Sequence, residues 1–73
     1  MKYNYYEITA TFDGITEVLF GSYLKSDVNC EYNSEKASWK EQGYKQIEKT
    51  SRLVDESPDP EVYGDDFCNS LKN

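Results

Sequence analysis

The chain has 73 residues, of which 37% are hydrophobic and 30% are charged, and its 14 acidic and 8 basic side chains give a formal net charge of -6. This length excludes a second domain, and because so short a chain buries only about 60% of the surface that its unfolded form exposes, its core must be small. The acidity argues against direct binding to nucleic acid or to an anionic membrane, since both attract clustered Lys and Arg. Seven Tyr, three Phe and one Trp nevertheless predict a folded unit, because disordered segments contain few aromatics.

The beginning of the chain predicts a cytoplasmic protein. Lys2 supplies one positive charge, but the apolar stretch after it is interrupted at Glu7, a pattern typical of neither a signal peptide nor a membrane span. Without a secretory signal, Cys30 and Cys68 are more often free thiols than a disulfide. The chain has no His and two Cys, which excludes a zinc site of ordinary composition. We therefore expect no metal and no cofactor.

A β-hairpin is the first predicted element. Apolar and polar residues alternate up to Phe12, with the β-branched and aromatic content that strands favour. Asp13-Gly14 is a strong turn signal, and a second alternating run follows it. We expect one face of the resulting sheet to be open to water, with Tyr5, Glu7, Thr9, Thr11, Glu17, Leu19 and Tyr23 on it.

The register of this hairpin depends on the length of its loop. A two-residue turn would place Ala10 opposite Glu17. A three-residue loop with a left-handed Gly14 would instead join the apolar face of the first strand to Val18 and Phe20. The second register brings the apolar side chains together, so we predict a bulged hairpin.

A helix is predicted next, with Ser26 as its N-cap and its end near Gln42. Gly43 is the predicted stop, because glycine takes a left-handed conformation at little steric cost. One side of the helix carries Val28, Tyr32 and Trp39, while Cys30 and Ala37 lie on nearly the opposite side. This division leaves open a break at which Ser34 would cap a second half.

A third, partly exposed strand follows Gly43, because Tyr44, Ile47, Leu53 and Val54 are interspersed among charged residues. A right-handed crossover makes it parallel to the second strand, and a place beside the first strand gives the order 2-1-3. The predicted fold class is therefore α+β: a two-layer ββαβ domain over residues 1–54, with the helix on one face of a three-stranded sheet.

Residues 55–73 form a distinct acidic segment. They contain six acidic residues and one basic residue, a net charge of -5, whereas residues 1–54 contain eight acidic and seven basic residues, a net charge of -1. Pro58 and Pro60 lack the backbone donors that helices need. We therefore predict an extended C-terminal tail.

This tail is the first candidate for a binding site. Carboxylates spaced along an extended chain can occupy a basic groove that normally holds a nucleic-acid backbone, because both present a row of negative charge. Tyr63 and Phe67 would provide apolar anchors for such a contact. The alternative is a tail that only keeps the protein in solution.

The tyrosine-rich open face of the sheet is the second candidate, since exposed tyrosines bring large contact area at low entropic cost. The alternative is that these tyrosines only satisfy strand propensity. If Val62 and Tyr63 covered Tyr3, Tyr5 or Tyr23, the two candidates would merge. The predicted partner-binding residues are Asp55, Glu56, Asp59, Glu61, Tyr63, Asp65, Asp66, Phe67, Tyr5 and Tyr23.

Catalysis is not expected. Cys30 or Cys68 would need an activating base as a nucleophile, and the chain has no His. The Asp65-Asp66 pair has no enclosed pocket in a tail, and the acidic residues lack the spacing of a calcium-binding loop. We therefore predict a protein that is not an enzyme and has no catalytic residues.

In layout, residues 3–54 resemble small phage-encoded inhibitor proteins. The likeness rests on the hairpin around Phe12-Asp13-Gly14, one helix that ends in Lys40-Glu41-Gln42-Gly43-Tyr44, a third strand and an acidic end. The group includes anti-CRISPR and anti-restriction proteins and short inhibitors of host RNA polymerase. The resemblance implies an anti-defence protein in the host cytoplasm that disables a nucleic-acid-handling enzyme.

The sequence thus predicts a protein-binding inhibitor that mimics nucleic acid. Its expected partner is a host protein with a basic nucleic-acid-binding groove, and it would act as a monomer or a homodimer without touching nucleic acid or membrane. The alternative is a structural or regulatory homodimer that pairs through a sheet edge or the open sheet face, since an exposed edge accepts a partner strand.

Overall fold

A three-stranded antiparallel sheet forms one layer of the protein, seen in a computed structural model that describes residues 2–71. Strand β1 (Tyr3–Phe12) lies in the middle, with β2 (Ile15–Ser22) on one side and β3 (Lys45–Val54) on the other. Because β1 pairs antiparallel with both neighbours, β3 runs in the direction of β2. The predicted α+β class and the strand order 2-1-3 are confirmed.

The hairpin between β1 and β2 differs from the predicted bulged loop. Asp13 and Gly14 both have positive φ angles, 52° and 79°, and Phe12 pairs with Ile15 across a two-residue turn. Both positive angles match the twist of the flanking strands, so the Asp-Gly pair decides the loop length. The prediction of a three-residue loop is wrong.

The bulge lies farther along the hairpin. Thr9 pairs with Val18 but Ile8 pairs with Phe20, so Leu19 is the extra residue in β2. This insertion restores the apolar alignment that the two-residue turn disrupts, because it returns Phe20 to the face of Ile8. Val18, which we expected beside the apolar residues of β1, is instead 54% exposed.

Helix α1 (Lys25–Glu41) covers one face of the sheet and is continuous through Ser34. Ile8 and Ala10 on β1 have no exposed surface, and Val28 on α1 is 2% exposed, so the core lies between these two elements. The predicted sides of the helix are confirmed: Tyr32 and Trp39 are partly buried, whereas Cys30 and Ala37 are exposed.

The start of α1 corrects the prediction for Ser26, which is an exposed residue inside the helix. The N-cap is Leu24, whose backbone nitrogen donates to the Ser22 hydroxyl at 3.0 Å. The same hydroxyl donates to the Asp27 carboxylate at 3.0 Å. The buried Ser22 at the end of β2 therefore organises this turn, because its hydroxyl is hydrogen-bonded both to the N-cap residue Leu24 and to Asp27 in the first turn.

The end of α1 follows the prediction. Gly43 has a φ of 101°, and its nitrogen donates to the Lys40 carbonyl at 3.1 Å. The Tyr44 nitrogen donates to the Trp39 carbonyl at 3.1 Å, which completes a Schellman cap. The chain then turns directly into β3.

The acidic segment is folded, so the prediction of an extended tail is wrong. Helix α2 (Pro60–Tyr63) and helix α3 (Asp65–Ser70) follow each other, separated by Gly64 with a φ of 90°. Pro60 begins α2 at a position where its missing donor costs nothing, and Asp59 caps this helix by accepting from the Glu61 nitrogen at 2.9 Å. Within residues 2–71, no helix has the length and apolar character needed to span a membrane.

The buried contacts of this segment lie around Cys68. Its thiol is buried and donates to the carbonyl of Pro58, itself buried, at 3.5 Å. Cys30 lies exposed on α1, and both cysteines are free thiols.

Candidate partner-binding groove

A groove of about 580 Å³ lies between the open face of the sheet and the acidic segment, at the end where β2 and β3 finish. We call it the tyrosine groove. The sheet side contributes Tyr5, Glu7, Tyr23, Arg52 and Val54, and the acidic segment contributes Asp55, Glu56, Ser57, Asp59 and Tyr63.

Aromatic contacts attach the acidic segment to the sheet. Tyr5 and Tyr23 meet edge to face with ring centroids 4.9 Å apart, and Tyr23 meets Tyr63 in the same way at 5.4 Å. Phe67 extends the chain of rings, 5.8 Å from Tyr63. Offset and edge-to-face pairs of this kind stabilise by about 0.5–1.5 kcal/mol each beyond their buried area.

Two hydrogen bonds reinforce the attachment. The Tyr23 hydroxyl donates to the Glu56 carbonyl at 2.6 Å, and the Tyr23 backbone nitrogen donates to the Tyr63 hydroxyl at 3.3 Å. Tyr63 thus covers Tyr23, whereas Val62 is 72% exposed. The two sequence-predicted candidates, the tail and the tyrosine face, merge into one site through Tyr63.

The ring of Tyr5 lies directly over Gly21, so any larger residue there would force this ring to move. A Cβ atom on Gly21 would fall 2.8 Å from Tyr5 Cζ, closer than real contacts allow. Gly21 pairs with Glu7 in the hairpin, and the missing side chain leaves room for the ring beside it. Strand alternation alone could indicate this position, because it places Gly21 on the predicted open face.

An ion pair that the sequence analysis did not single out forms the floor of the groove. The Arg52 guanidinium donates to the Glu7 carboxylate at 2.9 Å and lies 5.6 Å from the centroid of the Tyr5 ring. The Glu7 side chain is only 12% exposed, whereas that of Arg52 is 60% exposed. The feature that could have indicated this contact is the pairing register of β1 with β3, which sets Tyr5 opposite Arg52.

The structure divides the predicted acidic residues into two sets. Asp55, Glu56 and Asp59 line the tyrosine groove. Glu61, Asp65 and Asp66 are exposed in the first turns of α2 and α3, outside the groove lining. Asp55 also forms an ion pair with Lys2 at 2.6 Å, but both side chains are largely exposed, so the pair contributes little stability.

Tyr63 and Phe67 are partly buried against their own chain, and so are Tyr5 and Tyr23. The aromatic residues expected to anchor a partner therefore pack against one another, and the Tyr23–Tyr63 pair holds the acidic segment against the sheet. Within residues 2–71, no three Cys, Asp or Glu side chains are grouped closely enough to hold a metal ion.

Burial raises the pKa of the Tyr5 and Tyr23 phenols above the ordinary value of 10.0. The negative charge of Glu56 adds to the increase in the pKa of Tyr23. Since the folded state favours the neutral phenols, they affect stability little below pH 10 and reduce it as the pH rises through their raised pKa values.

We therefore expect the free energy of unfolding to fall as the pH rises above 10. Urea titrations on either side of pH 10, followed by circular dichroism, measure this loss. A Tyr5→Phe/Tyr23→Phe variant should lose less, because its remaining loss comes from groups such as Tyr44, whose pKa is raised by its hydrogen bond to Glu17. Equal losses in the two proteins would contradict this account.

No family model matches the chain, and neither a curated protein nor a solved structure matches it.

Proposed function

We propose that this protein is a non-enzymatic, protein-binding inhibitor that occupies a basic nucleic-acid-binding surface of a host defence or transcription enzyme. It would be phage-encoded and act in the host cytoplasm, as the resemblance in layout implies. The proposal rests chiefly on one observation: six exposed carboxylates within residues 55–66 are carried on a folded support rather than on a loose tail.

The folded support favours binding because carboxylates that are already positioned lose less conformational entropy when a partner binds. The segment is attached through Tyr63, whose ring packs on Tyr23, and through the hydrogen bond from Tyr23 to the Glu56 carbonyl. Like charge concentrated on one segment also accelerates encounter with a basic surface and makes binding sensitive to salt.

The test compares two variants with the same net charge. The first replaces Asp by Asn and Glu by Gln at residues 55, 56, 59, 61, 65 and 66; the control makes the same replacements at residues 13, 17, 31, 35, 41 and 48. Each removes six negative charges from a chain of net charge -6. Both retain side-chain shape, and an asparagine in place of Asp59 can still cap α2.

We expect the wild type and the control to retain the same enzyme from a bacterial lysate and to inhibit it, and the first variant to do neither. Identification of the retained protein and an assay of its nucleic-acid-dependent activity provide the readout. Capture should weaken as salt increases, because long-range attraction is screened. Inhibition by the first variant, or equal loss in both variants, would contradict the proposal.

The homodimer remains the second candidate because no further strand pairs with β2 or β3 within residues 2–71, and apolar side chains lie on both of these edge strands. Ile15 and Val18 on β2 and Leu53 on β3 are 67%, 54% and 62% exposed. Light scattering on the same samples distinguishes the two functions. A dimer that persists at high salt in the first variant would favour the homodimer, and a monomer at all concentrations would exclude it.

A further inference from the structure

We infer that the tyrosine groove is a receptor for an arginine side chain on the partner protein. The inference rests on the proposed function and specifies what the basic surface must offer: a guanidinium that enters the groove between the tyrosine rings and the carboxylates of its rim.

The groove is large enough to admit such a side chain. Its volume of about 580 Å³ lies within the range of about 300–1,000 Å³ that is usual for small-molecule sites. It opens along the side of the sheet opposite α1, where a partner surface can approach without displacing the core between β1 and α1.

The chemistry of its walls favours a flat cation. Among the described residues that line it, four carboxylates face one cation, Arg52; the carboxylates are Glu7, Asp55, Glu56 and Asp59. Three tyrosines, Tyr5, Tyr23 and Tyr63, also line it. A guanidinium stacks on aromatic faces and bonds carboxylates in a fork, and it is more weakly hydrated than an ammonium group. The excess of negative charge also makes phosphate an unsuitable occupant.

The chain itself supplies the precedent for this mode of binding. Arg52 places its guanidinium 5.6 Å from the centroid of the Tyr5 ring and bonds the Glu7 carboxylate at 2.9 Å. Arg52 thus occupies the Tyr5 side of the groove. Glu56 and Asp59 form no ion pair within residues 2–71, so the Tyr63 side offers carboxylates to a second guanidinium.

The experiment uses a short probe and the full chain. The probe is a Gly-Arg-Gly peptide with acetylated and amidated ends, and the comparison peptide is Gly-Lys-Gly with the same ends. NMR titration follows the ring protons of the three groove tyrosines and the δ-methylene protons of the peptide arginine. Stacking on a tyrosine should move these δ-methylene resonances upfield, which charge attraction alone would not do.

Two variants with equal charge separate the groove from the rest of the acidic segment. One carries D55N, E56Q and D59N inside the groove, and the other carries E61Q, D65N and D66N outside it. The first should weaken binding of the arginine peptide by about tenfold, as expected for loss of the Glu56 and Asp59 contacts and of the nearby Asp55 charge, and the second should leave it nearly unchanged. Retained contact between the Tyr23 and Tyr63 rings, seen by nuclear Overhauser effects, shows that each variant keeps the groove.

Saturable binding with an upfield shift, weakened by the groove variant alone, supports the inference. It is overturned if the shifts do not saturate, if the lysine peptide binds equally well, or if both variants weaken binding equally. The outcome is independent of the proposed function, because the peptide titration contains no partner enzyme and the lysate capture contains no peptide. A failed titration with successful capture rejects the arginine receptor alone, and the reverse result rejects the inhibitor.

Discussion

Truncation of Ile8 to alanine should unfold a large fraction of the protein. The side chain has no exposed surface and packs at the centre of β1. Removing a buried isoleucine side chain beyond Cβ costs about 2–5 kcal/mol, and a core of this size rarely supplies more than about 3–5 kcal/mol of stability. Urea denaturation followed by circular dichroism measures the change.

Ile15→Ala is the matched control for this truncation. Ile15 begins β2 and is 67% exposed, so the same removal of atoms leaves no cavity. Its effect should remain within about 0.5 kcal/mol, as is usual for surface substitutions. Comparable losses from the two variants would show that the core does not lie between β1 and α1.

Arg52→Met should destabilise the protein more than Glu7→Leu does. Loss of Arg52 leaves the nearly buried Glu7 carboxylate without its partner, and an unsatisfied buried group costs about 1–3 kcal/mol or more when charged. Loss of Glu7 instead leaves a guanidinium that is already 60% exposed and can turn to water. The free energies of unfolding of both variants, again from urea titration, provide the comparison.

The double variant E7L/R52M completes the thermodynamic cycle. Replacing both partners of a buried ion pair by apolar side chains is often neutral, so the double variant should recover much of the loss caused by R52M. The account is contradicted if Glu7→Leu lowers the free energy of unfolding as much as Arg52→Met does, or if the double variant is no more stable than R52M. Either result would show that Arg52 does not stabilise the Glu7 carboxylate.

The arrangement of the acidic segment changes the mechanism that its sequence suggested. An extended strip would have used Tyr63 and Phe67 as anchors in the partner, but both rings pack within the chain. Because these rings are used within the chain, the proposed inhibitor would meet its partner through the carboxylates. In the proposed mechanism, specific recognition would depend on the tyrosine groove, which three of those carboxylates line together with aromatic rings.

The sequence predicted best where a local pattern leaves one good solution. Alternation up to Phe12 and the Asp13-Gly14 turn located the hairpin, and Gly43 located the end of α1 because few other residues adopt its φ of 101°. The open face with Tyr5 and Tyr23 follows from the same alternation. These features depend on side-chain period and backbone conformation, which neighbouring residues set.

The position of the bulge could not be predicted in this way, because it reconciles two separate requirements. The turn favours one register near Asp13-Gly14, while the core needs Phe20 opposite Ile8, and an extra residue at Leu19 satisfies both. The start of α1 is similar: Ser26 carries a suitable capping side chain, but the buried hydroxyl of Ser22 at the end of β2 already organises that turn.

The sequence by itself determined the three strands, helix α1, the order of these elements and the concentration of negative charge in residues 55–73. Only the tertiary structure decided that this segment folds back, that Tyr63 covers Tyr23 and that Arg52 pairs with Glu7. The pairs of residues involved lie 40 and 45 positions apart. Propensity and spacing describe near neighbours, whereas contacts at such distances exist only once the sheet has brought the ends of β1, β2 and β3 together.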